Sequence, residues 1–567
     1  MDKLVALHLR YQRLRDRRRH WETAWRLLAE NFLPTRWRSD DDDTATDQPI
    51  LNTGLMDPTG VLGMRTLAAG MQGGMTSPVR PWFRLEFQAE AQDDNHAARV
   101  WLDDVTRRMQ TALHRSNFYN AIHTLYADIG TFGTGCLIEL ADHTGLKFYT
   151  LRAGEYVVDI GADNSVDLLI RRLHMTARQM EQEFGLHRLP DVVKRCLERE
   201  RGKRETERFN VFQAILPASE YRNVGGKSIA SVYYTDRGGF GGKPHLLRES
   251  GFESFPAFVP RWDIAGEDVY GRSPAMDVLS DCMMLQSMGR TLIKSMHKMA
   301  DPPMSADASL RSVGLDLRPS ALNYVDWAGR SGQPVAAAPI MQVDPRSVQA
   351  SLEAREDVRR NINSGLYSDL FKMLIANDRR NITATEIEAR EQEKMILIGP
   401  VVERLHKELF SPLIARTFDL MRQWDYLPPA PAGMEGAAIK VDFVSVLAQA
   451  QRMVSTSGID QTLAFAANAG QILPEVLDSI DPDKLMDAYT EALGVNKSIL
   501  RGADEREAVR AQRAEAQARI QAQAESAQGV QNIQGMANAA KSLGQTPTGA
   551  DGMTAMDALL GSLGEVS

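Results

Sequence analysis

The sequence predicts an α+β protein that is mainly helical, and three observations support this fold class. Long segments carry apolar residues at helical spacing, with capping residues and prolines where they start or stop. The segment 133–260 instead contains short β-type runs separated by glycine turns, and helical spacing resumes after it. Because 567 residues are too many for one hydrophobic core, we expect several domains.

The composition narrows the class of protein. Apolar residues make up 43% of the chain and charged residues 25%, as in ordinary soluble proteins, and the net charge is −8. This acidic balance argues against a protein that grips nucleic acid over its whole surface, although it allows local basic patches. The three cysteines have neither metal nor disulfide spacing, which indicates a reducing compartment. No apolar run is long enough to cross a membrane, so we expect no membrane partner.

Two helices and the irregular segment between them organise the centre of the chain. The first spans 273–300; it opens with a serine cap followed by proline and stops before two further prolines. The second spans 345–363, opens after an aspartate cap, and has one thin apolar edge among many charges. We expect that edge to pack against a neighbour. The segment 304–343 is rich in Pro, Gly, Ser and Asp, and 322–327 is its best strand candidate.

The segment that follows the second helix allows two interpretations. Residues 365–380 predict a loop or broken turn, yet six of them are large and apolar. Those six residues either continue the helix into the core or project from the loop. A capping box formed by Thr383 and Glu386 then predicts a long helix to Trp424. We expect Pro400 and Pro412 to kink that helix.

The two ends of the chain differ in charge and in apolar content. Residues 1–33 show heptad-like apolar spacing, broken only by Arg18, and residues 1–38 carry a net charge of +6. This basic helix is either a contact for nucleic acid or anionic lipid or, in the interpretation that we favour, an ordinary solvated face. At the other end, 504–528 predicts a helix with an alanine stripe, and 529–567 predicts a flexible tail.

The block after residue 133 predicts seven strands and one helical segment. Glycines at 145, 154 and 161 mark the first turns between strands. The helical segment is 176–199. The predicted strands are 136–140, 146–151, 156–160, 166–173, 209–216, 229–234 and 255–259.

No motif in the sequence indicates an active site. The eleven histidines show no metal spacing beside an acid, and we find no nucleophile elbow, complete phosphate-binding loop, zinc framework or dinucleotide fingerprint. We therefore expect neither catalysis nor a metal or cofactor. A chain built of capped helices and breaks suits a mechanical or assembly role.

Six stretches, in order along residues 1–500, resemble the portal protein, or head-to-tail connector, of short-tailed bacteriophages of the T7 group. No single stretch is decisive, whereas the ordered set is specific. The stretches are LAAGMQGGMTSPVRPWFRL at 67–85, GTFGTG at 130–135, YGRSP at 270–274, DPP at 301–303, RRNITATEIEAR at 379–390 and GP at 399–400.

The resemblance implies a portal fold and a non-catalytic role in the virion. Portal proteins form a ring, usually of twelve subunits, at one capsid vertex. Double-stranded DNA is packaged through its axial channel and later ejected. The implied partners are further copies of the chain, the DNA, the terminase large subunit, tail adaptor proteins, and the major capsid and scaffold proteins. The implied location is the virion, with assembly in the host cytoplasm.

The resemblance also implies a division of the chain into the parts of a portal subunit. The two central helices match the paired stem helices, and the excursion between them matches the clip. The expected parts are a wing at 1–265, which includes the β-rich block 133–260, a first stem helix at 266–300, a clip at 301–344, a second stem helix at 345–364, a tunnel loop at 365–381, a long wing helix at 382–435, a crown at 436–503, and a helical extension with a flexible tail at 504–567.

Seven cations are candidates for proximity to DNA in the tunnel of such a ring. For each of them the alternative is a salt bridge between neighbouring subunits. An acidic chain suits a conduit, since a strongly basic tunnel would bind phosphates and slow the DNA. The candidates are Lys294, Lys298, Arg355, Arg359, Lys372, Arg379 and Arg380.

Two rival functions remain at this point. One is an internal virion or scaffold protein of the helical coiled-coil type, against which the β-rich block argues. The other is a nucleic-acid-processing enzyme, against which the missing active site argues.

Overall fold

The computed structural model describes most of the chain outside the central excursion, the region after residue 444 and the last residues. Its described residues fall into two compact units, one within 1–90 and 100–494 and the other within 91–99 and 495–567. The described residues are 3–37, 54–87, 96–142, 144–198, 207–222, 224–236, 238, 242–302, 304–306, 337–339, 344–376, 397–431, 439–444, 465, 484–486 and 503–545.

Helices occur on both sides of the β-rich block, and the helical segment predicted at 176–199 is divided into two. We number them α1 Lys3–Phe32, α2 Thr59–Met75, α3 His96–Arg115, α4 Phe118–Phe132, α5 Ala177–Phe184, α6 Asp191–Glu198, α7 Pro274–Asp277, α8 Leu279–Ala300, α9 Pro345–Gly365, α10 Ser368–Ala376, α11 at 397–423 and α12 Ala503–Gln545. Short 3-10 turns lie at Pro34–Arg36, Leu186–Arg188 and Ala218–Glu220.

The described strands form one large antiparallel sheet and three small ones. The large sheet has the order β4-β5-β6-β7-β8, and the others pair β3-β2-β9, β1-β12 and β10-β11. The strands are β1 Phe83–Phe87, β2 Cys136–Asp142, β3 Gly145–Leu151, β4 Tyr156–Ile160, β5 Val166–Thr176, β6 Arg208–Pro217, β7 Ile229–Thr235, β8 His245–Phe252, β9 Ala257–Phe258, β10 Met304–Ala306, β11 Ala337–Pro339 and β12 Ile439–Phe443.

Helix α1 covers one face of the five-stranded sheet with its apolar stripe. Leu7, Tyr11 and Leu14 are buried in the same cluster as strand residues of β4 to β7. Arg18, which interrupts the apolar spacing, is also buried and donates a 2.6 Å hydrogen bond to the carbonyl oxygen of Tyr156. The buried cation therefore caps the start of β4, a contact that the local spacing of α1 does not reveal.

Several other cations of the N-terminal segment are neutralised within the same chain. Arg10 lies 3.2 Å from Asp159, and Arg26 lies 3.2 Å from Glu30. Arg36 binds the buried carboxylate of Asp128. This arrangement supports the interpretation of the basic segment as a packed helix with a solvated, charge-paired face.

Four of the described strands, β1, β8, β10 and β11, were not predicted from the sequence, and the first two show why. Phe83–Phe87 pairs with Ile439–Phe443, more than 350 positions further along the chain. His245–Phe252 contains charges and Gly251, so its spacing does not resemble that of a strand. The predicted strand at 322–327 lies outside the described residues, as does most of the crown expected at 436–503.

Helix α11 contains one π-helical turn, His406–Phe410, immediately before Ser411–Gln423. Pro412 follows this turn, and a proline there lacks the amide that would continue the regular α-helical ladder. The wider turn places Glu408 against Arg261, which is buried and whose Nη2 lies 2.7 Å from Glu408 Oε1. The irregularity expected at Pro412 is therefore a π turn.

The C-terminal helix α12 is longer than the sequence analysis predicted. The flexible tail was expected from residue 529, but the helix continues to Gln545. The stretch 529–545 contains Ala, Gln, Met, Lys and Leu, whose helix propensities outweigh its glycines even though it has few large apolar residues. Residues 546–567 lie outside the described part of the chain.

Candidate functional site

Helices α8 and α9 form an antiparallel hairpin, and both predicted caps are present, Asp344 at the start of α9 and Ser273 at the start of the short helix α7 that leads into α8. The hydroxyl of Ser273 accepts a hydrogen bond from the amide of Met276 at 3.1 Å, before α7 and α8. The carboxylate of Asp344 accepts one from the amide of Arg346 at 2.9 Å, at the start of α9. Each cap satisfies an amide that the first helical turn leaves without a partner.

Glycine contacts fix the alignment of the two helices. A Cβ atom on Gly365 would lie 2.3 Å from Cγ1 of Val278, so the end of α9 touches the start of α8. A Cβ atom on Gly289 would lie 3.9 Å from Nη2 of Arg355. The two helices therefore run side by side in opposite directions.

The base of this hairpin is fastened to α2 through Asp57, whose side chain is 1% exposed. Its Oδ2 accepts hydrogen bonds from Arg355 Nη2 at 2.9 Å and from Arg359 Nη2 at 2.6 Å. Its Oδ1 accepts from the amide of Thr59 at 3.0 Å. We call Asp57, Arg355 and Arg359 the hairpin clasp.

Electrostatics in the clasp favours the charged carboxylate. Burial raises the pKa of Asp57, but hydrogen bonds from Thr59 and Arg359 outweigh it and hold the pKa below its ordinary value. The backbone beside the clasp is held by Gln286 of α8, whose Oε1 lies 2.7 Å from the amide nitrogen of Met56. Its Nε2 donates to the carbonyl oxygen of Asp57 at 2.8 Å. Both helices of the hairpin therefore grip the segment that leads into α2.

Two stretches that carry the family resemblance, 130–135 and 270–274, meet at the start of the hairpin. Gly133 has φ 79°, and a Cβ atom there would lie 2.0 Å from the carbonyl oxygen of Gly271. The hydroxyl of Ser273 donates to the carbonyl oxygen of Thr131 at 2.7 Å. Only glycine combines this left-handed backbone with so close an approach. The two stretches therefore both need a glycine at the point where they meet.

The segment expected as a tunnel loop is helical over Ser368–Ala376, which corrects the predicted secondary structure. Tyr367, at φ 54°, breaks the chain between α9 and α10, and the helix then resumes. Leu366, Leu370 and Phe371 are buried. These apolar side chains therefore enter the core, which agrees with the first of the two interpretations of this segment, a continuation of the helix, and not with a projecting loop.

Helix α10 packs on a glycine face of α2. A Cβ atom on Gly70 would lie 2.1 Å from Cγ of Phe371, and one on Gly63 would lie 2.7 Å from Cδ1 of Leu366. The hydroxyl of Ser368 donates to the carbonyl oxygen of Gly63 at 3.2 Å. The glycines of α2 thus allow α10 to approach closely enough for these contacts.

The seven predicted DNA candidates fall into three groups. Arg355 and Arg359 belong to the hairpin clasp, and their salt bridges join parts of one chain rather than two subunits. Lys294, Lys298 and Lys372 are exposed. Among the described residues, Lys372 has one weak ion pair, with Oδ1 of Asp369 at 4.0 Å. The remaining two, Arg379 and Arg380, lie outside the described residues.

Asp57, which connects two of those candidates to α2, was not among the predicted site residues. The available signal was the pair Asp57-Pro58, which repeats the Asp-Pro helix start seen at Asp344. That signal marks a helix start, but it does not reveal two arginines about 300 positions away as its partners.

Within the described parts of the chain, two kinds of site are not found. No group of three or more His, Cys, Asp or Glu side chains is placed to hold a metal ion. No described helix is long and apolar enough to cross a membrane.

Comparison with known proteins places the chain in one family. Bacteriophage head to tail connecting proteins match residues 5–500. The probable portal protein of Bordetella phage BPP-1 is 35% identical over 516 residues, which cover 90% of each chain. The portal protein of Salmonella phage epsilon15 is 34% identical over 543 residues, or 94% of each chain.

A chain in the solved virion of a native gene transfer agent particle is also similar, with 13% identity and a TM-score of 0.34 over 76% of this chain and 89% of that one. This score is too low to establish a shared fold. The match over residues 5–500, together with two relatives more than 30% identical over nine tenths of their length, establishes the family. The chain belongs to the bacteriophage head to tail connecting proteins.

Proposed function

We propose that this chain is the subunit of a portal ring at one capsid vertex, through which double-stranded DNA is packaged and later ejected. The proposal assigns no chemical reaction to the chain. The relatives from Bordetella phage BPP-1 and Salmonella phage epsilon15, which are named a probable portal protein and a portal protein, support it. The ring has twelve subunits in this proposal, and it assembles in the host cytoplasm before it becomes part of the virion.

The observation that carries the proposal is how little of the hairpin is buried within one chain. Helix α8 buries Cys282, Leu285, Gly289 and Leu292, and α9 buries Val358 and Ile362, all but Leu292 in the half of the hairpin that holds the clasp. In the other half, Met296 and Met299 are 49% and 44% exposed. A hairpin with so little burial lacks the packing that stabilises helices, and identical neighbours in a ring supply it.

The proposal gives each remaining part of the chain a role. The hairpin is the stem around the channel, and the excursion 301–344 is the clip that meets the terminase large subunit and later the tail adaptor proteins. The wing at 1–265 faces the major capsid and scaffold proteins, with the long wing helix at 382–435. The crown at 436–503 and the extension at 504–567 complete the subunit. In this scheme α10, within 365–381, lies nearest to the DNA.

Electron microscopy and light scattering of the purified chain test the proposal. We expect rings with a central channel, and twelve copies of a 63.1 kDa chain amount to about 757 kDa. A particle that remains a 63.1 kDa monomer at every concentration would refute the ring. The number of subunits counted in top views decides separately whether the ring has twelve.

A further inference from the structure

The outer face of α8, opposite to α9, carries cations. With 100° per residue, Lys294 lies on the other side of the helix from the buried Leu292, and Arg290 lies one turn before Lys294. Lys298 extends the row by another turn. All three side chains are exposed, and none of them has an ion pair with any residue that the structure describes.

The outer face of α9 carries carboxylates. Glu353 lies nine positions before the buried Ile362, which places it on the opposite side of the helix. Its neighbours Glu356 and Asp357 already bind Arg359 and Arg360. Glu353 accepts a hydrogen bond from Gln349 Nε2 at 3.1 Å and has no cation beside it in the described chain.

Arg290, the first cation of the row, lies at the same height along the hairpin as Glu353. Gly289 of α8 is level with Arg355 of α9, because the guanidinium of Arg355 approaches Gly289. Because the two helices are antiparallel, Arg290, one residue after Gly289, and Glu353, two residues before Arg355, are displaced in the same direction along the hairpin. Their heights therefore differ by only about 1.5 Å. Arg290 and Glu353 therefore stand level on opposite outer faces of one subunit.

We infer that the outer face of α8 in one subunit docks on the outer face of α9 in the next subunit, with Arg290 and Lys294 against Glu353. This inference rests on the proposed ring. Two different faces of the same hairpin then meet, and such a head-to-tail contact closes into a ring when its rotation allows. Exposed Met283, 48%, lies seven positions before Arg290 and therefore on the same side of α8, where it adds apolar area to that face.

The inference also assigns a role to one of the DNA candidates. Lys294 lies in the subunit interface and neutralises a carboxylate there, so it is not available to phosphate. Complementary charge of this kind fixes which faces meet and in which register.

Charge reversal of single residues, followed by reversal of both, tests the contact. We expect Arg290→Glu and Glu353→Lys each to weaken ring association about tenfold at low salt, because each places like charges against one another. The double variant Arg290→Glu/Glu353→Lys restores opposite charges and should recover association to within about threefold of the wild type. Analytical ultracentrifugation over a concentration series gives the fraction of rings.

The matched control is Arg290→Glu combined with Asp301→Lys, which adds the same charge at the exposed far end of α8. This pair should not recover association. Circular dichroism should show wild-type helix content in every variant; if a reversal variant unfolds, Arg290→Ala and Glu353→Ala with their double variant give the coupling instead.

The outcomes separate the contact from the ring itself. Rings that form normally with each single reversal, or singles that fail and a double that does not recover, would overturn the inferred contact while the portal ring stands. A wild-type chain that forms no ring under any condition would overturn the proposed function.

Discussion

Oδ2 of Asp57 lies 2.6 Å from Nη2 of Arg359 and 2.9 Å from Nη2 of Arg355, so one buried carboxylate fastens two turns of α9 to the start of α2. These partners are about 300 positions apart in sequence. The clasp therefore acts as a long-range connection at the base of an otherwise thinly packed hairpin.

Asp57→Asn should destabilise the chain by about 2–3 kcal/mol, because it leaves two arginines without their buried counter-charge. Denaturant unfolding of the variant and the wild type measures the difference. The control is Asp357→Asn on the same hairpin, where the carboxylate is 65% exposed and binds Arg360 one turn away. That change should shift the free energy of unfolding by no more than about 0.5 kcal/mol. Equal effects of the two substitutions would contradict the clasp.

The contribution of Asp57 should depend on pH in the acid range. Because the folded chain holds the pKa of Asp57 below its ordinary value, the stabilisation is present above that ordinary value and is lost as pH falls through the lower, folded value. The difference in unfolding free energy between wild type and Asp57→Asn should be constant above about pH 5 and shrink below about pH 4. A difference that grows on acidification would show that the sign is wrong.

The hairpin clasp also shows where sequence reasoning succeeds and where it stops. The caps at Ser273 and Asp344 were predicted and are confirmed, because a cap depends on residues within one helical turn. Arg355 and Arg359 were singled out, but no local pattern could name Asp57 as their partner. Spacing identifies which side of a helix a side chain occupies; it does not identify the distant segment that packs there.

The segment after α9 shows a second kind of limit. Apolar residues at 366–375 fit a buried helix and an apolar loop equally well, and Tyr367 gives no sign in sequence that it takes a positive φ. The helix became apparent only from its packing on Gly63 and Gly70. Fold class and most element positions could be predicted, whereas the residues that join the elements could not.

Gly70→Ala should destabilise the chain by about 1–3 kcal/mol, because the added methyl group would overlap with the ring of Phe371. Gly73→Ala, in the same helix, is the matched control: a Cβ atom there meets nothing within 4 Å. Since alanine favours a helix over glycine, the control should stabilise by about 0.5–1 kcal/mol. Thermal unfolding of both variants checks the opposite signs.

A second substitution makes the Gly70 test specific to α10. Phe371→Ala removes the ring that the new methyl group meets, so the double variant should be less destabilised than the sum of the two single changes. Additive effects would mean that α10 does not pack on Gly70.

Lys372→Ala should leave rings of normal mass and stability but change DNA packaging or retention in particles by about twofold at low salt, with a smaller effect at moderate salt. The ring should persist because the buried Leu370 and Phe371 hold α10 in place. Lys372 does not contribute to this packing, because its side chain is 55% exposed and its Nζ comes no nearer than 4.0 Å to Oδ1 of Asp369. A contact that guides moving DNA must be weak, and one exposed lysine per subunit offers a modest, salt-sensitive attraction.

Arg360→Ala is the control, since Arg360 is 77% exposed but already binds Asp357. Filling and retention are measured as nuclease-protected DNA per particle. If Lys372→Ala particles match the wild type at both salt concentrations, α10 serves only to pack the subunit and Lys372 does not contact DNA.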